Sequence, residues 1–151
     1  MVTDVKKAIF QAIMMSDDYL HAYEQLMHLN LKKTQEREIV RVLLQCCIAE
    51  KTYNPFYYYL STKLLTDINF KYTYKYVLWD YIKSIEKLEI HQVVNLAKIF
   101  GALMLKLLPI HFLKVIEFEE LDKATTLFVH LLLENILASS ESVEQVTLVF
   151  K

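Results

Sequence analysis

Hydrophobic residues recur every three to four positions along most of the chain, which is the spacing of one face of an α-helix. The intervening segments are short and rich in residues that cap helices. The pattern predicts main helices at about 4–15, 17–29, 34–50, 55–64, 72–85, 91–107 and 123–137, with short helices near 110–115 and after 142. Because the connections are short, neighbouring helices are expected to lie mostly antiparallel, as stacked hairpins.

Four helix starts carry a capping signal, one of which is Asp122 before the helix at 123–137. Thr3 precedes the first helix, and the sequence Ser16-Asp17-Asp18 places hydroxyl and carboxylate oxygens before the second. Asn54 is the predicted N-cap of the fourth helix, and Pro55 is predicted at its first position, where the missing N–H costs nothing.

The stretch EKTYNPFYYYL, from Glu50 to Leu60, puts five aromatic rings close to this helix start and could be either a stacking platform for bases or part of a core. At 100° per residue, the following residues cluster on one face: Phe56, Tyr57, Leu60 and Leu64. Tyr58 falls on the opposite side and is predicted to be the ring that faces outward. Most of these rings are therefore interpreted as core.

Composition supports a folded all-helical domain. The 151 residues are 54% hydrophobic and include one glycine and two prolines, too few for the turns of most sheets. We expect a single domain over residues 1–151, and the abrupt end at Phe150-Lys151 suggests that it was cut from a longer protein. The longest apolar run, near residues 99–105, is too short to cross a bilayer.

The charge pattern disfavours a stand-alone nucleic-acid binder, since the formal net charge is −1. The middle third is mildly basic, however, and its segment KYTYKYVLW interleaves lysine with tyrosine. Lysines and rings in this arrangement could neutralise phosphates and stack bases, so single-stranded RNA binding by the helix Lys71–Trp79 is one alternative function. The competing interpretation places the tyrosines in grooves between helices and the lysines in solvent.

The sequence contains few residue patterns typical of a catalytic or cofactor-binding site. A single glycine, Gly101, cannot form a phosphate-binding loop, and neither a zinc-protease nor a nucleophile-elbow motif occurs. The five histidines are not spaced as metal ligands. Cys46 and Cys47 are adjacent within an apolar helix, where burial makes a thiol unreactive. We therefore expect no enzyme activity, no cofactor, no metal and no small-molecule substrate.

Acidic residues are concentrated in two turns. Glu86 and Glu89 flank the connection SIEKLE between the fifth and sixth predicted helices, and Glu117, Glu119, Glu120 and Asp122 crowd a later turn. Turn carboxylates usually lie in solvent, but they can also form the acidic side of a contact with a basic partner.

Three stretches resemble a known family. QEREIVRVLLQCCIAEKTYNPFYYYL, the pair Trp79-Asp80 and KVIEFEELDK are similar to the MA-3 domain of nucleolar scaffold proteins that also carry a middle domain of initiation factor 4G. The resemblance extends over residues 6–150. It implies a HEAT-like stack of antiparallel helical hairpins with seven to nine helices, no catalysis, and a location in the nucleolus or nucleus.

The resemblance also implies a partner, a DEAD-box RNA helicase of the initiation factor 4A type, bound during small-subunit ribosomal RNA maturation; pre-ribosomal RNA would be contacted only indirectly. In better-understood relatives, two acids four residues apart at the turn before the sixth helix contact a basic patch of the helicase. Here Glu89 is the first candidate and Glu86 the second, with Lys87 between them, while Ile85 replaces the first acid of the pattern. A translation or splicing regulator of the same domain family is a further alternative.

Overall fold

The computed structural model describes residues 2–106 and 123–139, and within them every regular element is helical. Seven α-helices and one 3₁₀ turn follow in order: α1 (Val2–Met14), α2 (Tyr19–His28), α3 (Lys33–Ala49), α4 (Phe56–Leu64), α5 (Ile68–Lys83), the 3₁₀ turn (Ile85–Lys87), α6 (Ile90–Lys106) and α7 (Lys123–Ser139). The predicted all-α class is confirmed. The helices expected near 110–115 and after 142 lie outside the described residues.

The helices pack in pairs around one continuous hydrophobic core. α1 contacts α2 and α3, α2 contacts α4, and α3 contacts α5 and α6, while α6 and α7 form the most extensive contact. α3 is the central element, since its residues Ile39, Val40, Leu43, Leu44 and Cys47 are all at most 1% exposed. A core of this kind requires no disulfide, and both cysteines are free.

Most predicted helix starts are confirmed. Asp18 caps α2, since its Oδ1 accepts a hydrogen bond of 2.8 Å from the N–H of His21. Pro55 precedes the first assigned residue of α4, but its φ of −62° and ψ of −15° are already helical, and Asn54 Oδ1 accepts at 3.0 Å from the N–H of Phe56. Asn54 therefore caps a helix that begins at Pro55, one residue before its assigned start. These oxygens satisfy N–H groups that have no partner within the helix.

Two predicted starts are wrong. Thr3 lies inside α1, which begins at Val2, so it does not cap that helix. α5 begins at Ile68, not near Tyr72, because Asp67 caps it through a 2.9 Å hydrogen bond from the N–H of Asn69. The sequence LTDIN contains this cap, and the buried stripe of the helix begins three residues later with Phe70 and continues with Tyr74, Val77 and Leu78.

The aromatic stretch is mostly core, as predicted, with one correction. Tyr57 and Leu60 are buried, and Phe56 is half-buried. Tyr58, however, packs against the core, and Tyr59 is the ring that faces outward, at 49% exposed. Its neighbour across the fold is Tyr19 of α2, whose ring centroid lies 5.5 Å away. Helical spacing alone does not show which of the two adjacent rings, Tyr58 or Tyr59, faces outward.

One buried polar residue connects α6 to α3. Asn95 is 2% exposed, and its Nδ2 lies 2.6 Å from the carbonyl oxygen of Glu50 and 3.3 Å from those of Cys47 and Ile48. These carbonyls belong to the C-terminal end of α3, where no later helical turn supplies donors. The amide therefore holds the end of α3 against α6, the helix that follows the predicted contact turn.

Candidate functional site

The turn that carries the predicted contact residues is anchored by apolar side chains and exposes polar ones. Ile85 is 1% exposed, and Leu88 is half-buried against the core. Glu86, Lys87 and Glu89 all lie in solvent. The turn also packs against α7. The structure thus brings Glu86, Lys87 and Glu89 together on one exposed corner, which we call the acidic corner (residues 84–90).

Backbone hydrogen bonds hold the acidic corner in a defined shape. The N–H of Lys87 donates to the carbonyl of Ser84 and that of Leu88 to the carbonyl of Ile85, each at 3.0 Å, which makes the 3₁₀ turn. α6 then begins after Glu89, whose N–H donates at 2.9 Å to Oε1 of Gln92. This return bond from a glutamine three residues later is one half of a capping box.

The charges of the corner are available to a partner. Glu89 Oε2 lies 3.3 Å from Nδ1 of His91, with the two side chains 77% and 36% exposed, so this contact is worth little in water. Next to Glu89, Ile90 is 74% exposed, although it is a large apolar residue at the first position of α6. An exposed isoleucine beside two carboxylates is an arrangement that a basic partner with an apolar contact could use.

Ile90 was missed in the sequence. It belongs to the string SIEKLEI, in which apolar and charged residues alternate, and helical spacing does not distinguish it from the buried Ile85. The structure places Ile85 in the core and leaves Ile90, five residues later, in solvent. The second acidic turn, Glu117 to Asp122, lies outside the described residues.

The segment KYTYKYVLW does not present all its rings to solvent. Tyr74 is fully buried, and its hydroxyl lies 2.5 Å from Oγ of Ser61, which in turn donates at 2.7 Å to the carbonyl of Tyr57. Burial raises the pKa of Tyr74 well above its usual value, against the opposing effect of the hydrogen bond with Ser61. Tyr74 therefore cannot stack on a base, and only Tyr72 and Tyr76 of this helix have strongly exposed tyrosine rings.

The adjacent cysteines behave as core thiols. Burial, with a smaller effect of the nearby Glu50 carboxylate, raises the pKa of Cys47 to about 12 and also raises that of Cys46. At neutral pH both are protonated and poor nucleophiles. Within residues 2–106 and 123–139 no three His, Cys, Asp or Glu residues are placed to hold a metal ion. None of the helices in these ranges has both the length and the apolar character needed to cross a membrane.

Comparison with known proteins places this arrangement in a family. Residues 5–107 match the MA3 domain. The chain belongs to the MA3 domain family. The resemblance noted in the sequence is thereby confirmed, together with the HEAT-like helical fold that it implied.

Relatives of the MA3 domain come from animals and fungi. The chain is 41% identical to nucleolar MIF4G domain-containing protein 1 of Homo sapiens, and the alignment covers 99% of this chain and 18% of the human protein. It is 34% identical to the Drosophila melanogaster homolog, over 95% and 17% respectively. Suppressor of glycerol defect protein 1 of Schizosaccharomyces pombe is 29% identical over 97% of the chain and 20% of its own length.

The chain thus spans about a fifth of the length of these curated relatives. The names of the animal relatives support the nucleolar or nuclear location expected for this MA3 domain.

Proposed function

We propose that this MA3 domain is a non-enzymatic interaction module that binds a DEAD-box RNA helicase of the initiation factor 4A type, within a scaffold for small-subunit ribosomal RNA processing. The observation that carries the proposal is the acidic corner. Glu86 and Glu89 are exposed on a turn whose backbone is fixed by hydrogen bonds and which Ile85 anchors in the core. Family membership makes a protein-interaction scaffold the natural setting for such a surface.

The rigidity of the corner matters for affinity. Ile85 and Leu88 hold the turn against the core and α7, so little conformational freedom remains to be lost when a partner binds. The two carboxylates attract a basic patch and accelerate encounter, while Ile90 supplies apolar area that is removed from water in the complex. Lys87, which lies between the acids, selects against a uniformly basic partner surface and favours one that also contains an acid.

Binding would act on the helicase by choosing among its conformations. A DEAD-box helicase alternates between open and closed arrangements of its two core domains. A ligand shifts this equilibrium by its difference in affinity for the two states. Stimulation of ATP turnover results if the closed state is preferred, and inhibition if the open state is preferred.

The test compares charge reversal at the corner with charge reversal elsewhere. A purified initiation factor 4A-type helicase would be titrated into the wild-type domain, the double variant Glu86→Lys/Glu89→Lys, and the control Glu24→Lys, which changes an exposed acid of α2. The double variant is expected to weaken binding at least about tenfold, and the control to leave it unchanged. Equal affinities for all three would reject the site, and no binding by the wild type would reject the partner.

A further inference from the structure

A second surface of the domain has the opposite chemistry to the acidic corner. Three cavities of about 200, 320 and 200 Å³ follow one another between α3 and α5. Arg37 lines both the first and the second cavity, and Arg41 lines both the second and the third. Because neighbouring cavities share lining residues, the three cavities form one continuous depression, which we call the α3–α5 groove. It ends at Ser84, two residues before Glu86.

Arginine and tyrosine dominate the middle of the groove. The lining of the 320 Å³ cavity consists of Arg37, Arg41, Tyr72, Thr73, Tyr76 and Val77. Arg37 and Arg41 are the two arginines of the whole sequence, whose other basic side chains are lysines. Tyr72 and Tyr76 are 52% and 55% exposed. Exposed tyrosine next to arginine is the combination most enriched at the energetic centres of protein interfaces.

The ends of the groove carry acids as well as bases. Glu36 and Lys33 line one end, and Asp80 and Lys6 the other. Asp80 Oδ2 lies 3.7 Å from Arg41 Nη2, with both side chains about half exposed, so this pair is easily exchanged for a contact with a partner. A ligand that runs along the groove therefore meets mixed charge at each end and net positive charge in the middle.

This charge order favours a protein segment over a nucleic acid. A polyphosphate following the groove would approach Glu36 and Asp80, whereas a peptide can place its acid at the arginines only. Tyr76 is also a poor stacking platform, because Lys75 Nζ lies 5.6 Å from the centroid of its ring and Trp79 meets the same ring at 5.7 Å with the two planes perpendicular. Base stacking needs free ring faces.

We propose that the α3–α5 groove binds a short extended segment of a protein partner in which an acidic residue stands next to a bulky apolar side chain. The carboxylate pairs with the guanidinium of Arg37, and the apolar side chain fills the central cavity against Tyr72, Tyr76 and Val77. The stretch of α3 from Lys33 to Gln45 is about 18 Å long, which fits roughly five or six residues of extended chain. This surface meets the acidic corner only at Ser84, and the proposal does not depend on the helicase.

The probe is a phage library of random short peptides selected on the purified domain. Selected peptides are expected to share an Asp or Glu beside Phe, Leu or Trp. A representative peptide, measured by fluorescence anisotropy, should bind at least about tenfold more weakly to Arg37→Glu and to Tyr76→Ala than to the wild type. Arg37→Lys should also weaken binding, because lysine keeps the charge but not the planar fork that pairs with a carboxylate.

Lys51→Glu is the matched control, since it reverses an exposed positive charge outside the groove and should leave affinity unchanged. Circular dichroism of each variant shows whether the fold is retained. Three results would overturn the proposal: no enriched peptide, an enriched motif without acids, or affinities that Arg37→Glu does not change. A short oligouridylate that binds more tightly than every selected peptide, and loses binding in Arg37→Glu, would assign the groove to RNA and reject a peptide partner.

Discussion

Removing the amide of Asn95 should destabilise the junction between α3 and α6. Its Nδ2 is within hydrogen-bonding distance of three carbonyl oxygens, at 2.6 Å from Glu50 and 3.3 Å from Cys47 and Ile48. An amide nitrogen has two hydrogens, so at most two of these bonds are strong at once. Because Asn95 is 2% exposed, water cannot easily replace them.

The cost can be worked out from these contacts. Asn95→Ala removes up to two hydrogen bonds, each worth about 1 kcal/mol net, and leaves a carbonyl unsatisfied at a cost of about 1–3 kcal/mol. We expect the free energy of unfolding to fall by about 2–5 kcal/mol, a large part of the roughly 5–15 kcal/mol typical of a domain. Urea unfolding followed by far-ultraviolet circular dichroism measures this change.

Two variants make the Asn95 test specific. Asn135→Ala removes an amide that donates at 2.7 Å to Leu131 within the same helix, and it should cost below about 1 kcal/mol because the residue is only half-buried. Asn95→Asp places a carboxylate against carbonyl oxygens and should destabilise more than alanine at neutral pH. If Asn95→Ala costs no more than Asn135→Ala, the amide does not hold α3 and the reasoning is wrong.

Three other substitutions test burial, close packing and capping. Burial raises the pKa of the Cys47 thiol from 9.0 to about 12, so the unfolded chain loses this proton first as the pH rises. Between about pH 9 and 12 this thiol alone should lower the free energy of unfolding by about 1.4 kcal/mol per pH unit, in addition to the effects of other groups with raised pKa values such as Cys46 and Tyr74. Cys47→Ala should therefore reduce the slope, and an unchanged slope contradicts the assignment. A Cβ on Gly101 would lie 3.1 Å from the Cβ of Asn135, which is closer than carbon atoms normally pack. Gly101→Ala should therefore lower Tm, although alanine has the better helix propensity. A higher Tm would argue against tight packing of α6 on α7. Asn54→Ala should cost about 1 kcal/mol in thermal unfolding and Asn54→Ser much less, whereas equal losses would exclude a capping role.

The order of helices could be predicted because it depends on local signals. Apolar spacing located α1 to α7, and Asp18 and Asn54 mark helix starts whose oxygens satisfy nearby N–H groups. The prediction that Thr3 precedes the first helix was wrong, because the presence of a capping residue type does not by itself determine where a helix begins. The start of α5 was predicted too late because Ile68 and Asn69, which follow the capping residue Asp67, lie in solvent, although the buried stripe of the helix already begins at Phe70.

Features that need two distant segments were beyond the sequence. Tyr58 packs against the core and Tyr59 faces outward beside Tyr19 of α2, and helical spacing within α4 does not distinguish these two adjacent rings. The α3–α5 groove likewise arises only when α5 packs on α3 and brings Tyr72 and Tyr76 beside Arg37. The position of the acidic corner could be predicted, since its acids lie in one short turn. The exposure of Ile90 at the end of that corner could not.

Chemical labelling of carboxylates tests the central claim, contact at the acidic corner, most directly. The domain would be treated with a carbodiimide and an amine, alone and saturated with an initiation factor 4A-type helicase, and the modified side chains quantified by mass spectrometry. Glu86 and Glu89 are exposed and should label readily in the free domain and much less in the complex, while Glu24 on α2 labels equally in both. Unchanged labelling of Glu86 and Glu89 in a saturated complex would show that the helicase binds elsewhere.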